Sequence, residues 1–381
     1  MRRGTKIQKL KQALPGIVKD VRHYAKPRVK LHNEGLGDYY TEGYRSLNQR
    51  EWKGVRDTAY DFASWLKVYG YMAVTLGKHP VALTKSFVRY PWMASYLTVA
   101  NMLDRHKLGL RGKQLRYTQE QFYGVVHNSV DVIAKIIERD ENLNSPNNKR
   151  AAKLRAKTVM FDEMTPSIIM AGFPMLDWID IAMSPVCLPG EVDQNANIMY
   201  VDAAERMGLA ADVCPLPSAE VGCAIVDDYP QVGSSFITSS MPCDGSLGAA
   251  LFMDRYMKKL PSFTLTPPQR FNEPETNAYA VKDLKNCIRF IEETYDVKWD
   301  WDAFWKKAEE YNKTTQCMLD KWDVNCTPYP QVIGSALSLQ REYEFQTAAC
   351  LDSFMTKQDE KVTKMMLKGY EEDREADRRD Y

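Results

Sequence analysis

The chain is poor in the residues that most enzymatic motifs need. It has five histidines in 381 residues (His23, His32, His79, His106 and His127), and none follows position 127. A Ser–His–Asp site in the later part of the chain is therefore excluded, since it needs an imidazole base. No H-E-x-x-H occurs, and neither a G-x-x-x-x-G-K-[ST] loop nor a G-x-G-x-x-G turn is present, which argues against ATP or NAD binding by the usual motifs. Two cysteines are nowhere spaced as C-x-x-C, which argues against a zinc ribbon or a thioredoxin-like centre. A long apolar run is also missing. The best stretch, Trp65–Leu76, is too short to span a bilayer and carries Lys67. Positions 1–14 are basic but lack the apolar core of a secretory signal. With a formal net charge of +1, no global field steers the chain to nucleic acid or membrane.

What the chain does have is enough length for two or three domains and eight scattered cysteines. Without a secretion signal these imply a reducing, cytoplasmic setting, where thiols stay free or bind metal. Residues 1–155 read as mostly helical. Thr118-x-x-Gln121 has the form of a capping box, and Phe122, Val126, Val130, Ile133, Ile136 and Ile137 recur at helical spacing. Polar, turn-rich residues from Asp140 to Arg150 suggest a linker.

From 156 to 381 the texture is α/β. Ile168–Phe173, Ser235–Thr238 and Ser262–Thr266 read as strands, and Leu247–Leu260 reads as a helix between the last two. Tyr200, Ala203, Ala204 and Met207 form a helical stripe that Gly208 ends. Two more helices follow, one on Ala280, Leu284, Cys287, Ile288, Ile291 and Tyr295, the next on Trp301, Phe304, Trp305, Ala308 and Tyr311. Strand and helix in alternation predict a Rossmann-like parallel sheet flanked by helices, behind the helical N-terminal region.

Two cysteines fall where such a sheet gathers ligands. Cys214 follows the helix ending at Gly208, and Cys243 follows the strand Ser235–Thr238 and precedes a helix. Ligands collect beyond the carboxyl ends of parallel strands, and a thiolate is favoured near a helix N-terminus. The competing reading is packing, because free cysteine is among the most buried residue types. Cys287, Cys317 and Cys350 read as helix packing, and Cys187, Cys223 and Cys326 as loop positions.

The order of these features resembles the first α/β domain of the 2-hydroxyacyl-CoA dehydratase and benzoyl-CoA reductase family. The pieces are Ile169–Pro174 as an opening strand, Asp202–Gly208 leading to Asp212-Val213-Cys214, Ser239–Asp244 around Cys243, Leu260–Leu265, the Val297–Asp300 junction with Phe304 and Glu310, and Pro328-x-Pro330-x-x-x-Gly334. The resemblance implies a [4Fe-4S] cluster with Cys214 and Cys243 as ligands, and Ser239 and Ser240 shaping the substrate pocket. It implies an acyl-CoA substrate, a second dehydratase subunit or downstream-encoded second domain, and an ATP-dependent iron–sulfur activator. One electron delivered to the thioester would form a ketyl radical, permitting loss of water (a lyase reaction) or ring reduction in an anaerobic metabolism. The family's second α/β domain, which carries the third cluster cysteine, has no counterpart recognised in these 381 residues. The alternative is a non-catalytic scaffold or assembly subunit without its own cluster. Neither nucleic acid nor membrane is an expected partner.

Overall fold

A computed structural model describes residues 54–103, 112–162, 167–192, 196–240, 244–256, 260–268, 273–333, 336–337, 340 and 353–378. The chain divides into two compact units. One comprises Thr75–Tyr96 and Ser129–Ala308. The other comprises Leu97–Asn128 and Glu309–Tyr381 together with 54–74.

Among the described residues, the helices ahead of the sheet are α1 (Gly54–Leu76), α2 (Pro80–Arg89), α3 (Gly112–Arg139) and α4 (Lys149–Arg155), with a 3-10 segment at Pro91–Leu103. Among the described residues four short strands follow: β1 (Thr158–Phe161), β2 (Asp177–Asp180), β3 (Ser235–Ser239) and β4 (Ser262–Leu265). Between β2 and β3 lie α5 (Leu188–Val192), α6 (Ile198–Arg206) and α7 (Pro215–Ile225), and α8 (Asp244–Tyr256) joins β3 to β4. The remaining helices among the described residues are α9 (Pro274–Tyr295), α10 (Trp301–Asn325) and α11 (Ser353–Glu375). The α/β fold expected from the sequence is thus present. No helix among the described residues is long and apolar enough to cross a membrane.

The sheet runs in the order β2-β1-β3-β4, with every pair parallel. Parallel strands are covered on both faces and so carry near-continuous apolar runs. Every residue of β1 and β3 is accordingly buried. On one face Val159, Phe161, Ile237 and Leu265 pack with Cys287 and Ile291 of α9. Each such side chain fully removed from water contributes roughly 1.5–3 kcal/mol. Tyr295, at the end of α9, ties that helix to the sheet. Its hydroxyl donates to the Thr158 carbonyl at 2.8 Å and lies 2.7 Å from Ser235 Oγ.

Three local expectations are corrected. Ile168–Phe173 is not a strand, because Ser167–Gly172 forms a 3-10 helix that buries Ile169 and Met170 against the same core. The apolar run signals burial, which a tight helical turn satisfies as well as a strand. The first two strands are instead Thr158–Phe161 and Asp177–Asp180, four residues each, and the second has an aspartate at either end. Thr118 caps no helix, since α3 begins at Gly112 and holds it in its interior. The apolar stripe assigned to Trp301 and Trp305 is only partly buried, and both indoles are more than half exposed.

Asp177 opens the edge strand β2 and takes two cations from α3. Lys135 Nζ sits 2.8 Å from Oδ1, and the Arg139 guanidinium pairs with Oδ2. Burial alone would raise this carboxyl, but the charges of Lys135 and Arg139 outweigh it and hold it below the usual carboxylate range. A depressed carboxyl contributes stability that is complete above its unfolded pKa of about 3.9 and is lost as pH falls through the folded value. Asp177→Asn should therefore lower stability at neutral pH and flatten the decline below about pH 5, as read by urea titrations across that range.

In the second unit Leu115, Tyr117, Val332, Ala336, Val362 and Met366 form the core. Lys321 and Asp359 make an ion pair at 2.5 Å with both side chains fully buried. His127 stacks between Tyr71 and Phe354, at 4.0 and 3.7 Å between ring centroids, as a packing residue. Removing one member of a buried pair strands the other charge at a cost of about 3–5 kcal/mol. Lys321→Met should destabilise by that order in denaturant unfolding, and adding Asp359→Leu should recover much of the loss.

Candidate functional site

The site expected from the sequence involves the end of β3 and the start of α7. Ser239 ends β3 and is buried, and Ser240 follows with its amide donating to the Leu265 carbonyl at 2.9 Å. That bond extends the β3–β4 ladder by one step and fixes where the strand releases the chain. Residues 241–243, and with them Cys243, lie outside the described residues. Cys214 is the residue before α7 and is exposed. Its carbonyl accepts from the Ser218 amide at 3.4 Å and from Ser218 Oγ at 2.9 Å. Pro215 and Pro217 both stand in the first turn of α7. Proline has no N–H, so this helix start offers fewer amide donors to a neighbouring thiolate than most.

α7 packs closely on α6. Gly222 lies against the Tyr200 backbone, and an added Cβ would overlap the Tyr200 carbonyl. That approach places Cys223 in the interior, where its thiol lies near Tyr200 and Asp228. Burial first, then the charges of Asp228 and Glu220, push this thiol well above its ordinary value. Cys223 is thus a helical, inert residue, not a loop one. Cys187 is also buried, at the end of the turn Met183–Cys187. Cys287 sits in the core under the sheet with its thiol pushed up to about 12, by burial and then by Asp283. Cys326 is exposed and Cys317 half-buried.

A cleft of about 450 Å³ opens beside the carboxyl ends of β3 and β4. Ser239 and Leu265 line it from the strands, Ile288 from α9, and Trp299, Trp301 and Phe304 from the junction into α10. The Trp299 indole packs edge-on against Phe173 and covers Gly172, where a Cβ would come within 2.5 Å of the ring. Ser239 lines this cleft, whereas Cys214 is not among its lining residues.

Sequence reasoning missed a set of buried polar groups around Tyr229. Glu220 of α7 is buried and accepts from the Tyr229 hydroxyl at 2.6 Å. Burial, then Glu220, then Asp162 beyond β1, and Asp180 at the end of β2, raise that phenol well above its ordinary value. A signal existed for Asp180, a single carboxylate inside the apolar run Trp178–Ala182. Nothing local marks Glu220 as buried. Among the described residues, no group of three or more His, Cys, Asp and Glu side chains converges as a metal ion would need.

Residues 192–369 match the family model for 2-hydroxyglutaryl-CoA dehydratase, D-component. The resemblance to the 2-hydroxyacyl-CoA dehydratase family holds over this segment. It contains Cys214, Ser239, Ser240 and Cys243, and it extends through most of α11. The Ile169–Pro174 piece of the resemblance lies ahead of it, in the segment that proved to be a 3-10 helix. No curated protein matches the chain.

The burial pattern orders the thiols by reactivity, since the thiolate at an accessible sulfur is the nucleophile. Brief iodoacetamide treatment of the native protein, followed by peptide mass spectrometry, should modify Cys214 and Cys326. Cys223 and Cys287 should remain unmodified until denaturant is added.

Proposed function

We propose that the chain is a component of an iron–sulfur-dependent 2-hydroxyacyl-CoA dehydratase, with Cys214 and Cys243 as thiolate ligands of a [4Fe-4S] cluster. The observation that carries this reading is the family match over 192–369, which holds both cysteines. The donor chemistry fits in the part that is described. Cys214 is an exposed thiol free of any disulfide, and thiolates are the usual ligands of such clusters. When bound, the cluster supplies the one-electron redox chemistry that acts on an acyl-CoA thioester.

The roles left to this chain are positioning and shielding. Pro215 and Pro217 restrict the backbone next to Cys214, so the sulfur is presented from a stiff turn at the head of α7. The tight packing of Gly222 on Tyr200 holds α7 itself in place. Ser239, in the cleft at the end of β3, belongs in this reading to the substrate pocket, with Ser240 beside it. A second dehydratase component and an ATP-hydrolysing iron–sulfur activator complete the system, the first contributing to the substrate site and the second delivering the electron. Ring reduction of an aromatic acyl-CoA is the sister reaction of the same chemistry.

The test is an anaerobic iron and acid-labile sulfide determination with a visible spectrum, on the chain alone and co-expressed with its partner component. About four irons per complex are expected, with loss of iron and colour in Cys214→Ser and in Cys243→Ser. Iron-free protein in both preparations would overturn the cluster assignment and leave a scaffold or assembly role.

A further inference from the structure

α1 carries a second apolar face that its own chain leaves in water. The inner face is closed over. Val68 and Met72 are buried, Gln119 donates to Asp61 at 3.0 Å, and the Tyr69 hydroxyl donates to the Leu97 carbonyl at 2.9 Å. A helix packed in this way ordinarily turns charged and polar residues outward. α1 instead presents Val55, Ala59, Phe62, Leu66, Gly70 and Val74, all exposed and spaced three or four residues apart. That spacing sets one continuous stripe along a helix, as in helices that pair. The stripe is about 30 Å long at 1.5 Å per residue. Phe62 and Leu66, near its middle, leave 47% and 49% of their surface in water. An exposed apolar patch of this extent marks an interaction surface.

The stripe is nearly symmetric about its midpoint, between Ser64 and Trp65. Turned end for end on a copy of itself, Val55 meets Val74, Ala59 meets Gly70, and Leu66 meets Ala63, which is also exposed. Branched side chains face each other at the two ends. A bare backbone faces a methyl at Gly70, and the larger Leu66 faces another methyl. Phe62 comes opposite Lys67, whose methylene stem an aromatic ring can cover. Helices approach as closely as the side chains at the contact allow, and the Ala59–Gly70 pairs set that distance. A twofold interface needs such self-complementarity, because the same patch serves both partners. At Gly70 an added Cβ would meet nothing of its own chain within 4 Å, so the surface is open there.

Charge favours the same occupant. Among the described side chains of α1 the charged ones are Asp61, which is buried, and Lys67, which already pairs with Glu120 at 3.3 Å. A strongly acidic or basic partner would find little to pair with along this stripe, whereas a second copy brings an equally uncharged one. We propose that α1 is a dimerisation helix, through which two copies of this chain pair antiparallel about a twofold axis at Ser64 and Trp65. The stripe lies outside residues 192–369, so the pairing is separate from the family-matched segment and from the cluster assignment.

Sedimentation velocity of the full chain, from about 1 to 100 μM, tests it. A reversible shift from 43.8 kDa to twice that mass is expected. Leu66→Glu puts a charge in the centre of the contact and should weaken dimerisation on the order of tenfold or more. Gly70→Phe is the more discriminating variant. It has open space within its own chain and replaces a poor helix former, so the unfolding midpoint should hold or rise. Its bulk opposite Ala59 should weaken the dimer by a similar factor. Chains carrying Ala59→Cys, mixed with chains carrying Gly70→Cys and oxidised, should form the 59–70 disulfide in preference to 59–59 and 70–70, as read by peptide mass spectrometry. A chain monomeric across the whole range, a dimer indifferent to both variants, or a 59–59 link in preference to the mixed one would each overturn the proposal. So would a chain that stays single alone and uses this face only with a co-expressed dehydratase component. None of these readouts involves iron.

Discussion

β3 is hydrogen-bonded to β1 on one side and to β4 on the other, and all five of its residues are out of water. A strand buried in this way can be satisfied only if helices cover both faces of the sheet. Much of the α/β unit follows from that requirement. α9 covers one face through Cys287 and Ile291, and its Tyr295 hydroxyl is anchored on the first residue of β1. Parallel pairing also demands long returns between strands, so the chain must leave the carboxyl end of β3 at Ser239 and Ser240 before α8 can bring it back to β4. The cleft with Ser239 lies at that departure point.

Charges inside this protein are tolerated where a partner is rigidly supplied. Lys321 and Asp359 are wholly buried and paired. Asp177 is neutralised by two cations from one helix face, Lys135 and Arg139, spaced four apart so that both reach the same carboxylate. Tyr90 donates to the buried Asp140, and Tyr229 to the buried Glu220. In each case burial and pairing act together, since an unpaired buried charge would cost more than folding can spare.

The long helices and the inner strand were legible because their signals are local. The stripe Phe122–Ile137 is buried along its length, as helical periodicity required. Gly208 has a positive φ of 102° and stands just past α6, where a residue without a Cβ is needed. Ser235–Ser239 and Ser262–Leu265 were found from short β-prone runs bounded by turn residues. The other two strands were missed. Four residues are too few to show alternation, and the more apolar Ile168–Phe173 competed for the assignment.

Of the candidate site, the sequence by itself determined the kinds of chemistry available. With no histidine after 127, a Ser–His–Asp site drawn from the later residues alone lacks its base, and Cys214 and Cys243 were named through a family pattern that the match over 192–369 contains. Tertiary structure decided which thiols are accessible. Cys214 is exposed while Cys223, nine residues on in the next helix, is sealed by the approach of Gly222 to Tyr200. Tertiary structure alone also assembled the cleft, whose lining comes from Ile168 to Phe304. A cavity is the space that distant segments leave between them, and no local pattern of residues encodes it.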